Sequence, residues 1–406
     1  MNETNKVNKA LEYTCIFGGG AVRGVSYVGT LKALEELGIR ASTIAGSSVG
    51  AVFSGLLAVG YTADEIKEIF MQINFELFKD IHFGFGKDFA LSKGGIFLDW
   101  LRELIETKYY GERYEKGKNK PITFADLEKN FIVIATDLTN FKYKEFSRFE
   151  TPDFEVACAI RISSTMPGLM KPVEVNGSLL VDGDLQKSWP LWRLSKNLCP
   201  DESRILEFRL EGDYEGKGQN ALNFMNTIYS CVTSLATDFI IEAYGDRDKF
   251  DYVKINTGSI IVVDFNMPKE KREELMNIGY RQTIDYFSSV VPNKKKNLVK
   301  FYRDISGQLG KIKKCIDANK IRQAKEELGV LYMNINPAKK FIDIQFFNEI
   351  EEFKKNFLLN IISSPFFGIN SLKHSNIVKS KINSVLVQFE ERIEELESYA
   401  FNFKSE

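Results

Sequence analysis

Gly46-Ser47-Ser48-Val49-Gly50 fits the pattern G-x-S-x-G, in which a serine sits on a strained turn between a strand and a helix with its hydroxyl facing a cleft. Ser48 is the candidate nucleophile, with Gly46 and Gly50 as the ends of its elbow. Chance alone yields the pattern about 0.1 to 0.2 times in a chain this long, so the surrounding residues must decide its meaning. Attack by a serine on an acyl group needs backbone N–H donors where the carbonyl oxygen becomes negative. Gly18-Gly19-Gly20-Ala21-Val22-Arg23-Gly24 supplies small residues that let amides approach, and loss of one such donor typically costs about 10² to 10³ in rate. The competing dinucleotide loop, G-x-G-x-x-G, fails on spacing, because counting from Gly18 the third glycine should fall at position 23, which is Arg23. Arg23 has two readings, a structural one within the loop and a contact with an anionic group.

The serine also needs a base, and histidine is scarce: the chain has 2, His82 and His374. A His-rich metal centre cannot be built from two, and a Ser-His-Asp triad would have to use one of them. His82 lies in a Gly- and Phe-rich stretch and His374 in a Ser- and Lys-rich one, neither a recognisable catalytic setting. A carboxylate is therefore the expected base. Asp182, in Val181-Asp182-Gly183-Asp184 after a short apolar run, is the best placed, although an aspartate with a pKa near 3.9 is a weak base unless its surroundings help it. Asp184 is a second acid nearby. Pointed inward it would raise the pKa of Asp182 by like-charge repulsion, and pointed at water, the expected orientation, it would do little.

These residues depend on elements that the apolar pattern outlines. Leu11 to Phe17 is a strand running into the glycine loop, and a helix from Val25 to Leu37 ends on Gly38. Thr43 to Ala45 is a second strand, followed by the elbow and a small-residue helix from Ala51 to Ala58, whose N-terminal partial charge would face an oxyanion. Thr62-Ala63-Asp64-Glu65 is a capping box opening a helix to about Gln72. Phe131 to Ala135, Leu179 to Val181 and Ile260 to Phe265 are further strands, the last before a helix over Lys269 to Phe287. Strands alternating with helices predict a parallel α/β sheet with its site at the carboxyl ends of the strands.

Taken together, Phe17 to Gly24, Gly46 to Gly50, Thr136-Asp137-Leu138, Ile160-Arg161-Ile162-Ser163-Ser164-Thr165-Met166-Pro167-Gly168 and Val181-Asp182-Gly183 resemble, in order, the motifs of bacterial patatin-like phospholipases. The resemblance extends over roughly residues 11 to 290, through Asn256-Thr257-Gly258, Asp264-Phe265, Glu274-Leu275 and Gly279-Tyr280. It implies a three-layer α/β/α domain with a mainly parallel central sheet, over residues 1–290, and hydrolysis of acyl esters by a Ser-Asp dyad without histidine. On that resemblance Ser48 is the nucleophile and Asp182 its base. The amides of Gly20 and Ala21 form the oxyanion hole, with Gly19, Arg23 and Gly24 completing the loop and Gly183 and Asp184 supporting the base. No metal or other cofactor is implied. Asp184 departs from the family pattern, which has Gly or Ala there, and Ala21 or Val22 stands where the family has its last loop glycine.

The implied substrate is a phospholipid or lysophospholipid. A thioesterase or neutral-lipid esterase on the same dyad is an alternative, as is an effector held inactive until its C-terminal region meets a partner or signal. The whole chain, 406 residues with 44% hydrophobic and 27% charged and 54 basic against 55 acidic side chains, has the composition of a globular protein and argues against nucleic-acid binding. The longest apolar runs, such as Ala51 to Val59, are too short to span a bilayer, and the polar N-terminus lacks a secretory signal, so a cytoplasmic location, peripheral at a membrane surface, is expected. The 5 cysteines form no C-x-x-C pair and are expected to be buried thiols. Residues 291–406 are expected to be a helical extension, basic over 291–325 and acidic over Phe389 to Glu397, the basic part being either a solvated face or an attraction to anionic lipid. The aromatic stretch Phe75 to Phe89 reads either as a lid or acyl-chain pocket or as ordinary core. Oligomeric state leaves no signal in the sequence.

Overall fold

The computed structural model describes residues 12–79, 90–186, 204–212, 227, 249–260, 266–338, 348, 350–353, 355 and 371–398. His82, Cys199, Cys231 and most of the strand expected over Ile260 to Phe265 lie outside the described residues, as does the side chain of His374. The described residues fall into two compact units, one holding those up to 227 with 251–286, the other those from 287 onward with 249 and 250.

In the first unit an eight-stranded mixed sheet has the order β10-β9-β1-β2-β4-β8-β7, with β5 also pairing with β4. Its strands are β1 (Glu12–Phe17), β2 (Arg40–Gly46), β4 (Asn130–Asp137), β5 (Lys142–Ser147), β7 (Val173–Val175), β8 (Ser178–Asp182), β9 (Arg204–Glu211) and β10 (Phe250–Asn256), while β3 (Ala90–Ser92) and β6 (Gly168–Met170) form a separate parallel pair. The run β9-β1-β2-β4 is parallel. The strands β5 and β8 join β4 antiparallel, and β7 pairs antiparallel with β8, so the strand carrying Asp182 runs against β4 rather than with it. That corrects the expectation of parallel strands at this edge. Residues Tyr13 to Phe17 and Phe131 to Asp137 are buried without alternation, so both faces of the central strands are covered, as a three-layer arrangement requires.

The helices follow the expected pattern closely. A 3₁₀ turn over Ala21–Val25 feeds α1 (Ser26–Leu37), which ends on Gly38 in the left-handed conformation at φ 70°. Helix α2 (Val49–Ala58) packs on β1, β2 and β4, and α3 (Ala63–Gln72) opens with a capping box in which Thr62 and Glu65 each hold the other's backbone amide. Helices α4 (Gly95–Tyr110) and α5 (Val156–Ser163) pack on each other, and α6 (Lys269–Asp285) packs along α1.

The second unit is helical. In it α7 (Val291–Asp317) packs against α8 (Ile321–Ala338) and α9 (Ser371–Ser398), around Tyr302, Ile305, Ile312, Ile335, Ile382 and Phe389. The basic stretch meets the acidic end of the same chain where Arg303 pairs with Glu397 at 2.6 Å, and in the opposite sense Asp317 pairs with Lys379 at 2.7 Å. Lys294 donates to the carbonyl of Phe250, and Lys313 to Asn383 at 2.8 Å. No helix among the described residues is long and apolar enough to cross a membrane.

Candidate active site

The elbow is built by the end of β2. Gly46 lies in register with Phe17 of β1 and with Val133 of β4, and the next amide, that of Ser47, donates to the Phe17 carbonyl at 3.1 Å. Ser48 then takes φ 53° and ψ −130°, a conformation that costs a non-glycine residue about 1–3 kcal/mol and is kept only where surrounding contacts enforce it. Those contacts are present. The Ser48 amide donates to the Ser163 hydroxyl at 3.0 Å, that hydroxyl donates to the Ile134 carbonyl at 2.5 Å, and the Ser164 hydroxyl donates to the Ser48 carbonyl at 3.1 Å. Helix α2 starts at the following residue and crosses β1 so closely that a Cβ on Gly50 would stand 2.0 Å from the Phe17 carbonyl oxygen. Ser48 itself is 6% exposed.

The glycine loop meets the elbow from β1. The Gly18 amide donates to the carbonyl of Phe208, and a Cβ on Gly19 would lie 2.8 Å from the Ser48 Cβ, so the loop runs against the serine side chain. Gly20 packs against Leu210, and Ala21 follows at φ 45°, the second strained non-glycine residue at this site. Ala21 lines the same cavity as Ser48. Arg23 and Gly24 do not line it. Arg23 is buried, its Nε donating to the Ile260 carbonyl at 2.8 Å, and Gly24 lies against Val49. The structural reading of Arg23 is the one the geometry favours.

Asp182 reaches this site from the opposite strand direction. It pairs with Ala135, two residues beyond the Val133 that is level with Gly46, and so stands about 7 Å further along the sheet, beside the Ile134 carbonyl that anchors Ser163 and Ser48. Gly183 confirms the proximity of the two segments, since a Cβ there would lie 3.1 Å from that of Ser47. Asp182 is wholly buried. Its amide donates to the Thr165 carbonyl, its carbonyl accepts from Thr136 Oγ1, and its Oδ1 accepts the Asp184 amide at 2.9 Å. Asp137, at the end of β4, is committed elsewhere: burial would raise its pKa, but hydrogen bonds from Asn140, Ser178 and the Thr139 amide hold it below the usual range.

Asp184 corrects the expectation that it points to water. It is buried, with Oδ2 accepting the Gly19 amide at 2.8 Å, Oδ1 accepting the Ser47 hydroxyl, and Arg209 Nη1 at 3.6 Å. Arg209 also meets Glu207 at 2.5 Å. Burial alone would lower the pKa of Arg209, but the two carboxylates outweigh it and raise it, so the guanidinium stays charged inside the protein. Sequence reasoning missed Ser47, Glu207, Arg209 and the supporting roles of Ser163 to Thr165. For Glu207 and Arg209 the only signal was their i, i+2 alternation with Leu206, Phe208 and Leu210, which a solvent-facing strand shares.

Next to Ser48 lies a cavity of about 100 Å³ walled by Val52, Phe70, Phe75, Phe78 and Trp100. Edge and stacked ring contacts, such as Phe78–Phe97 at 5.1 Å and Phe53–Phe70 at 4.5 Å, hold the wall together. Phe75 and Phe78 thus belong to both the core and the pocket, while residues 80–89 of the aromatic stretch lie outside the described residues. Among the described residues no group of acidic, His or Cys side chains could hold a metal ion.

Residues 15–192 match the family model described as patatin-like phospholipase. A protein of Acanthamoeba polyphaga mimivirus, R571, is 28% identical over 288 residues, covering 68% of this chain and 94% of the relative. The lysophospholipase NTE1 of Cryptococcus neoformans is 29% identical over 207 residues, 48% of this chain but 11% of that much longer protein. The crystal structure of VipD from Legionella pneumophila is similar in fold, with a TM-score of 0.51 at 16% identity over 95% of this chain and 88% of VipD.

Proposed function

We propose that this chain, whose residues 15–192 match the patatin-like phospholipase family model, is a lipid ester hydrolase that cleaves phospholipids or lysophospholipids with Ser48 as nucleophile and Asp182 as base, within a hydrolase domain over residues 1–290. The observation that carries this reading is a strained serine on the wall of an apolar cavity, with a wholly buried carboxylate two strands along the sheet.

In the first half-reaction Ser48 Oγ attacks the ester carbonyl carbon while its proton passes to the Asp182 carboxylate. The amides of Gly20 and Ala21, together with the N-terminus of α2, stabilise the negative oxygen of the tetrahedral intermediate. Collapse breaks the bond to the leaving alcohol, which takes the proton from Asp182. Water then attacks the acyl-enzyme as Asp182 accepts its proton, and release of the fatty acid returns that proton to Ser48. The acyl chain occupies the cavity of Phe70, Phe75, Phe78 and Trp100, where burial of each methylene is worth about 0.8 kcal/mol.

Contact with a lipid surface is proposed at the β4–β5 hairpin. Its tip carries Phe141, 86% exposed, with Leu138 and, from β8, Leu179 beside it, at the same end of the parallel strands as Ser48. The tip is rigid enough to serve, since Asp137 accepts the amides of Thr139 and Asn140 and the Asn140 side chain. Replacing Ser48 by Ala and Asp182 by Asn tests the catalytic assignment: each variant should lose phospholipid hydrolysis by 10³-fold or more, by about the loss that removing a nucleophile or its base brings. Near-normal turnover in either would sink the dyad.

A further inference from the structure

The oxyanion loop and the nucleophile elbow leave the sheet from different strands, β1 and β2, and useful catalysis requires their amides and hydroxyl to keep one spacing. The two touch at Gly19 and Ser48, but that contact only prevents closer approach. Beyond the Ser47 amide's bond to the Phe17 carbonyl at the end of β1, one side chain from the turn after β8 draws them together. Asp184 accepts the Gly19 amide on Oδ2 and the Ser47 hydroxyl on Oδ1, one residue before the loop's proposed donors begin and one residue before the nucleophile. Its own amide donates to Asp182 Oδ1, so the same residue also fixes the carboxylate of the base. Arg209, braced by Glu207 and packed against Gly18, supplies the positive charge that a buried carboxylate needs.

We propose that Asp184 is a positioning residue that clamps the oxyanion loop to the nucleophile elbow, with Arg209 as its counter-charge. The Gly19 amide is then consumed by the clamp and takes no part in binding the oxyanion, a task left to Gly20 and Ala21. Both bonds require a carboxylate with two accepting oxygens. Asparagine offers one oxygen and turns an NH₂ toward a donor, and alanine offers nothing.

The inference rests on Ser48 being the nucleophile, and the test separates the two. In the full-length protein, with thermal melting to confirm folding, Asp184→Asn should lower kcat about 10- to 100-fold with KM changed less than about threefold, and Ser47→Ala about 3- to 10-fold. A trifluoromethyl ketone lipid analogue, which forms a tetrahedral adduct, should lose affinity in step with kcat/KM, a response that altered stability alone does not produce. Adding Ser47→Ala to Asp184→Ala should cost nothing further, because both remove the same link. If Asp184→Ala fails to fold, Asp184→Asn and Ser47→Ala decide. Folded variants with kcat and ketone affinity within twofold of the parent, beside an inactive Ser48→Ala, would overturn the clamp and leave the nucleophile standing. Undiminished turnover in Ser48→Ala would overturn the catalytic reading itself.

Discussion

Replacing Gly50 by Ala adds one methyl group at the point where α2 crosses β1. The new Cβ would stand 2.0 Å from the Phe17 carbonyl oxygen and 2.6 Å from that of Gly18, both backbone atoms that no rotamer change can move aside. Relief requires the start of α2 to retreat from β1 by on the order of 1 Å, and Ser48 is the residue that caps that helix. Overpacking of this kind costs about 1–3 kcal/mol of stability, and a displacement of about 1 Å between nucleophile and oxyanion donors costs about 10² in rate. Gly55, in the same helix, supplies the control. A Cβ there would meet the tip of the Ile160 side chain, Cδ1 at 2.4 Å, with its next neighbours at 3.5 Å, so a rotation of Ile160 accommodates it while alanine improves helix propensity by about 1 kcal/mol. Hydrolysis of a p-nitrophenyl ester and a thermal melt read both effects. Gly50→Ala should lose about 10² in kcat/KM, and Gly55→Ala should stay within about threefold. Equal activities in the two variants would refute the claim that the packing of α2 on β1 sets the position of Ser48.

Other consequences can be checked as directly. Arg209→Met leaves Asp184 and Glu207 buried without their cation and should destabilise the protein by about 3–5 kcal/mol, measured by urea unfolding. Replacing both His82 and His374 by Gln should leave most esterase activity, since the proposed proton carrier is a carboxylate; a loss comparable to that of Ser48→Ala would return histidine to the mechanism. Phe141→Ser should weaken sedimentation with phospholipid vesicles about tenfold while leaving hydrolysis of a soluble ester unchanged. The Cys158 thiol is pushed up to about 12, by burial first and then by Glu155, which stabilises the neutral form. At pH 8 it should alkylate about a thousandfold more slowly than an ordinary thiol despite its partial exposure, as read by peptide mass mapping.

How much of this was visible in the sequence depended on the range of the interactions involved. The elbow, the glycine loop and the Thr62-Glu65 capping box each carry a short local signature and appear where that pattern puts them, although the bonds from Ser163 and Ser164 that hold the strained Ser48 come from distant sequence. Strand β2 is longer than its apolar run because Arg40 and Ser42 belong to it, and their polarity hides them from a reading based on apolar stretches. Strands β9 and β10 were missed for a related reason. Their Glu207, Arg209 and Asp251 look like solvent-facing charges, yet they are buried against one another and against Tyr13 and Asp184. The direction of β8 and the inward turn of Asp184 are tertiary facts. Val181-Asp182-Gly183-Asp184 says only that a strand ends there, and it takes the Gly19 amide and the Ser47 hydroxyl, more than 130 positions away, to make an inward carboxylate favourable.

The central claim is that Ser48 is an activated nucleophile and Asp182 the group that activates it. Incubation of the full chain with a fluorophosphonate, followed by peptide mass spectrometry, measures that without assuming a substrate. The account predicts one stoichiometric phosphonyl adduct, on Ser48, formed at least about 10²-fold more slowly in Asp182→Asn and absent in Ser48→Ala. An unmodified Ser48, or an adduct that forms as fast in Asp182→Asn as in the parent, would contradict it.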